Sequence, residues 1–90
     1  MDYDAPAGVH EEIWSVALAN GDIAVMLLNK SPLRRAMTLE WSMLGVSDIT
    51  RFTVRDLWAH EDWSHAVMKQ LTVVVPSHGV MMLRLAKVSV

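Results

Sequence analysis

The residues able to do chemistry in this sequence fall into three groups. The densest is His60-Glu61-Asp62-Trp63-Ser64-His65, where two imidazoles and two carboxylates stand close together in the chain. Such crowding invites a metal-ligand or acid–base reading. It does not follow the HExxH pattern, in which histidines four apart share one face of a helix; here Ser64 holds the required place and the second histidine comes one position later. A solvated loop is the default for such a charge run. The second group is acidic: Asp56 with Glu61 or Asp62, and Glu11 with Glu12. Hydrolysis of a glycosidic bond by two carboxylates needs them about 5 to 10 Å apart across a sugar-binding cleft. A chain this short has little surface for a deep cleft, and adjacent acids in loops usually face water. The third group is aromatic: Trp14, Trp41, Trp58 and Trp63, whose flat faces could stack on sugar rings. There is no cysteine, so no disulfide, thiolate metal site or cysteine nucleophile is available, and no G-x-S-x-G elbow activates a serine. No catalytic, cofactor-binding or metal-binding residue is assigned.

The elements that would position these groups read as strands. Glu12 to Leu18 and Ile23 to Asn29 are rich in β-formers and flank Asn20-Gly21, a pair that suits a two-residue type I′ turn; this predicts a hairpin. Ser31-Pro32-Leu33 ends the second strand, because proline has no N–H to give a ladder. In Ala36 to Trp41, apolar Met37, Leu39 and Trp41 alternate with Thr38 and Glu40, the period of a strand with one buried face. A helix would set Glu40 beside the core. Ser42 to Gly45 has room for a single turn with a left-handed stop at the glycine. Alternation resumes over Arg51 to Trp58 with Phe52 and Val54 inward. Ala59 to His65 is read as loop, Val67 to Val75 as one strand ending at Pro76, and Val80 to Ala86 as the last strand after a four-residue turn.

At least six short strands joined by turns, with no long helix, predict an all-β fold: an antiparallel β-sandwich of Greek-key type. Residues 1–10 read as an N-terminal extension or linker stub, and 11–90 as the sandwich domain. Trp41, in phase with Met37 and Leu39, is expected in the core. Trp14 and Trp58 are expected to fill the interior from their strands, leaving Trp63 as the tryptophan most suited to exposure. Met81 and Met82, as neighbours on a strand, must face opposite sides, and Leu27-Leu28 and Val73-Val74-Val75 do the same. Strands apolar on both faces imply that part of the outer surface is covered.

Composition narrows the function classes. The chain has 90 residues, enough for one domain, and its 52% hydrophobic content argues against disorder. A net charge of −2 with scattered basic residues lacks the electrostatic footprint of a nucleic-acid binder. The longest apolar run, Ile23 to Leu28, is far below the roughly 20 residues of a membrane span, so neither nucleic acid nor membrane is expected as a partner. The acidic, polar start lacks the basic and apolar regions of a signal peptide, and no compartment can be assigned.

Four segments in order resemble a known family. They are the hairpin Glu12 to Asn29, Trp41-Ser42-Met43-Leu44-Gly45, Val54-Arg55-Asp56-Leu57-Trp58, and Val75-Pro76-Ser77-His78-Gly79-Val80 on to Leu85. Together they are similar to the C-terminal β-sandwich domain of α-galactosidases (melibiases). The chain departs from the family pattern at Glu61 to Gln70. The resemblance implies a non-catalytic accessory domain of a glycoside hydrolase, packing against and stabilising a catalytic (β/α)8 barrel that carries the two reactive aspartates; no position here corresponds to either aspartate. The catalytic barrel is thus the expected partner. An alternative expectation is a small carbohydrate-binding module using an exposed tryptophan. A third is self-association of a bare sheet face into a homodimer when the chain stands alone. Trp63, His60 and Trp58 are the candidate contacts to carbohydrate or to a neighbouring domain, and no cofactor is expected.

Overall fold

In the computed structural model, residues 2–4 and 11–88 are described. The strands run β1 (Asp2–Asp4), β2 (Glu11–Ala17), β3 (Ile23–Asn29), β4 (Arg35–Glu40), β5 (Arg51–Asp56), β6 (Glu61–Asp62), β7 (Val67–Met68), β8 (Gln70–Val75) and β9 (Val80–Lys87), with one 3-10 turn at Trp41–Leu44. All pairings are antiparallel, and they form two layers. The larger sheet has the order β1-β2-β3-β9-β5-β6, with β7 also on β5; the smaller one is the pair β4-β8. This is the antiparallel sandwich that the alternation predicts. Within the stretch expected to be an N-terminal extension, residues 2–4 form an edge strand on β2, and the rest of it lies outside the described residues.

The core follows from the period of two. Ile13, Val25, Leu27, Phe52, Val54, Leu83 and Leu85 point from the large sheet onto Met37, Leu39, Leu71, Val73 and Val75 of the small one. Trp41 is wholly buried just past β4. Its ring meets Phe52 edge-on at 5.2 Å and 86°, and its indole Nε1 donates to the Thr50 carbonyl at 2.7 Å. The aromatic pair therefore fills the gap between sheets without leaving a buried donor unpaired. Gly45 stops the 3-10 turn in the left-handed region at φ 72°, as its position predicts.

Three local expectations need correction. The hairpin between β2 and β3 forms, but not through a type I′ turn. Gly21 donates its N–H to the Leu18 carbonyl and Leu18 donates to Asp22, so the loop is one residue longer. Gly21 takes a positive φ and Asn20 does not. Asn20 instead uses its side chain, accepting the Asp22 N–H at 3.0 Å. The single strand expected from Val67 to Val75 is broken at Lys69, whose φ of 76° turns the chain. β7 thus stays on the large sheet and β8 crosses to the small one. Propensity is blind to this break, because Lys69 has no turn-forming chemistry. Finally, the stretch Ala59 to His65 is not all loop: Glu61 and Asp62 pair with Asp56 and Arg55 as β6.

Asn29 closes the end of the sandwich. It is buried, its Nδ2 faces the carbonyls of Leu33, Val75 and Pro76, and its Oδ1 accepts the Ser31 N–H. Ser31 and Ser77 extend the same network, with the Ser77 hydroxyl donating to the Ser31 carbonyl.

Candidate functional site

The reactive-looking segment is laid out along the surface. After β5, the Asp56 carboxylate accepts the N–H groups of Trp58 and Ala59 at 2.9 and 3.0 Å, an arrangement that a short acidic side chain forms readily at a turn. His60 follows with φ 56° and brings the chain back as β6. The turn is thereby fixed, and it holds Trp58 outward with 62% of its surface exposed. Asp62 pairs with Arg55 at 3.1 Å, both on the surface. His60, Glu61 and His65 face solvent, and His65 Nδ1 meets the Ser64 hydroxyl at 3.1 Å. Among the described residues, no three His, Asp or Glu side chains converge as metal ligands.

Three of the acids considered as catalytic pairs are engaged elsewhere. Asp56 caps its turn and Asp62 holds Arg55, while Glu12 accepts from Lys30 at 2.7 Å and from the Trp14 indole at 3.3 Å. The structure brings Trp58 and His60 together on one turn but sends Trp63 elsewhere.

The expected exposure of the tryptophans is reversed for two of them. Trp63 is half-buried, packs against the core, and donates its backbone N–H to Val54 at 2.8 Å. Trp58 is exposed because β5 ends at Asp56, before the alternation could carry the ring inward. Trp14 is not in the interior either. Ile13 and Ser15 hold the inward phase of β2, so Trp14 lies on the outer face. The signal for this was present in Ile13 itself, whose aliphatic chain competes for the same phase.

That outer face is the largest feature the individual motifs did not pick out. Across three neighbouring strands the register sets Trp14 beside Met26 and Met26 beside Met82; the flanking rows pair Leu28 with Val80 and Val16 with Ala24. Leu57 continues the central row, donating its N–H to the Met82 carbonyl. A dimple of 110 Å³, lined almost wholly by apolar atoms of Trp14, Val16, Ala24, Met26 and Met82, opens at its centre. Ion pairs border it: Arg84 to Asp22 at 2.8 Å at one end and Lys30 to Glu12 at 2.7 Å at the other. The two-faced apolar character expected of Leu27-Leu28 and Met81-Met82 is realised here: Leu27 and Met81 join the core side, and Leu28 and Met82 the outer side. The outer face of the small sheet is different. Its rungs are Ala36 with Val74, Thr38 with Thr72 joined by a 2.9 Å hydroxyl bond, and Glu40 with Gln70.

Two antiparallel layers closed over one core, with an apolar row on the outer face of the larger sheet, define an all-β sandwich domain. Residues 10–85 match the model of the α-galactosidase C-terminal β-sandwich domain, and the chain belongs to that family. It is 36% identical over 67 residues to an α-galactosidase of Oryza sativa subsp. japonica, covering 74% of this chain but 16% of that protein. An α-galactosidase of Cyamopsis tetragonoloba is 34% identical over 68 residues, again with 16% of its length covered. Among solved structures, α-galactosidase I from Mortierella vinacea superposes with a TM-score of 0.79 at 29% identity, over 84% of this chain and 20% of that one. A GH27 β-L-arabinopyranosidase from Geobacillus stearothermophilus does so with 0.79 at 26%, over 89% and 18%. The chain thus spans about a sixth of the length of the curated relatives it matches.

Proposed function

We propose that this chain is a non-catalytic accessory domain of an α-galactosidase-type glycoside hydrolase, packing against and stabilising a catalytic (β/α)8 barrel. The observation that carries this reading is the apolar character of the large sheet on both faces, seen in the row Trp14, Met26 and Met82 behind a complete core. Apolar surface gathered in one patch favours a partner that removes it from water, at roughly 25 cal/mol per Å². Three of the acids weighed as catalytic groups are held by other partners, Asp56 by backbone N–H groups, Asp62 by Arg55 and Glu12 by Lys30, which supports the same reading.

The test fuses this chain behind the catalytic domain of the Oryza sativa α-galactosidase, in place of that enzyme's own C-terminal domain. The fusion should hydrolyse p-nitrophenyl α-galactoside and survive heating better than the catalytic domain alone. The ninety residues by themselves should show no turnover. A fusion no more heat-resistant than the bare catalytic domain, or hydrolysis by the isolated chain, refutes the reading.

The exposed Trp58, on a turn whose backbone Asp56 holds, favours a second reading, a carbohydrate-binding module using that ring as a stacking surface. Titration with galactose or melibiose should then change the tryptophan fluorescence, and Trp58→Ala should abolish the change. A flat titration discards it.

A further inference from the structure

We infer that the dimpled outer face of the large sheet, centred on Trp14, Met26 and Met82, is the surface that seats the catalytic domain, and that the dimple receives an apolar side chain from it. The inference rests on the accessory reading above and adds which of the two outer faces is used and how. Three observations select it.

The first is anatomy. The face has an apolar centre and an ion-paired border, Arg84–Asp22 and Lys30–Glu12, which is the layout of a protein interface: a dry middle inside a charged rim. The small sheet's outer face carries hydroxyls and a carboxylate on two of its three rungs. Burying those would need matched partners; burying Met26 and Met82 needs only a shape that fits.

The second is the dimple. Ala24 is a small side chain set between Val16 on β2 and Arg84 on β9, with Met26 next on the same face of its own strand, so the surface is indented where larger residues would make it level. A hollow of 110 Å³ is of the order of one large aliphatic or aromatic side chain. Methionines on its wall can adjust to the entering group.

The third is the attachment point. In the family the sandwich is the C-terminal domain, so the catalytic part joins through the strand that leads into β2. β1 is that strand, and it pairs with β2 with Tyr3 opposite Trp14. An upstream domain is therefore tethered to the edge of this sheet and held next to this face at high effective concentration, an advantage that a second free copy of the chain does not have.

The test uses the same fusion. Met82→Lys and Ala24→Leu, one charging the face and one filling the dimple, should each lower the heat-inactivation midpoint of the fusion by several degrees and expose the interdomain segment to trypsin. The same variants of the isolated chain should keep the parent's urea midpoint, which separates docking from folding. Thr38→Lys and Thr72→Glu on the small sheet should leave the fusion unchanged. A stable fusion indifferent to Met82→Lys and Ala24→Leu, or equally sensitive to the small-sheet variants, overturns the assignment while the accessory reading stands. A fusion that fails before any substitution overturns both. Light scattering showing a dimer of the isolated chain that Met82→Lys dissociates, with the fusion unaffected, assigns the face to self-association and overturns the inference.

Discussion

The side-chain amide of Asn29 donates to the Val75 carbonyl at 3.0 Å, tying the last residue of β3 in the large sheet to the last residue of β8 in the small one. The same amide faces the carbonyls of Leu33 and Pro76, so two loops and two layers depend on one buried side chain. Replacing it with an aliphatic of similar size leaves those carbonyls and the Ser31 N–H without their partner. Asn29→Leu should lower stability by about 2 to 4 kcal/mol, because unpaired buried polar groups cost more than hydrogen bonds gain. Urea denaturation of the two proteins measures it, and a midpoint within error of the parent contradicts the proposed role.

Trp41 separates packing from hydrogen bonding in a second experiment. Trp41→Phe keeps an aromatic ring near Phe52 but takes the donor from the Thr50 carbonyl, and it should cost about 1 to 3 kcal/mol. Trp41→Ala removes the ring as well, and about 3 to 5 kcal/mol is expected. Equal losses for the two variants would mean that the ring contributes little beyond its N–H.

Left-handed positions give a paired prediction of opposite signs. Gly45 has φ 72° with open space where a Cβ would sit, so Gly45→Ala is penalised by backbone conformation alone and should destabilise by about 1 kcal/mol. Lys69 adopts φ 76° while carrying a Cβ, and Lys69→Gly should stabilise by about 0.5 to 1 kcal/mol. Chemical denaturation of both variants checks the pair. A destabilised Lys69→Gly protein would show that the lysine side chain matters more than its backbone.

The tryptophans can be ranked by quenching. Trp58 should be the most accessible to iodide, Trp41 the least, with Trp14 and Trp63 between. Trp58→Phe should remove most of the iodide-sensitive emission and Trp63→Phe much less. The reverse order would place Trp63 at the surface after all.

The sandwich was legible because its strands obey one rule. Met37 and Leu39, or Phe52 and Val54, are buried while the residues between them are exposed, which is the pattern of an extended strand with one face on the core. The outer face was legible only in part. Adjacent pairs such as Met81-Met82 announce two apolar sides, yet the lateral row from Trp14 to Met82 depends on register between strands far apart in sequence, which no local pattern encodes. Trp58 was misplaced for a related reason: its parity fits the core, but Asp56 captures two backbone N–H groups and ends the strand first. The same competition between side chain and ladder replaced the expected turn at Asn20. Lys69 is the hardest case, since a lysine in the left-handed region is selected by the need to change sheets and by nothing in its own chemistry.

That change of sheets governs how the molecule comes apart. With Lys69 as the pivot, one short piece of polypeptide hydrogen-bonds to β5 in one layer and, a residue later, to β4 in the other. Peeling either layer away pulls directly on its counterpart, so melting of the two sheets should proceed as a single cooperative event, with no half-opened sandwich for proteases to attack.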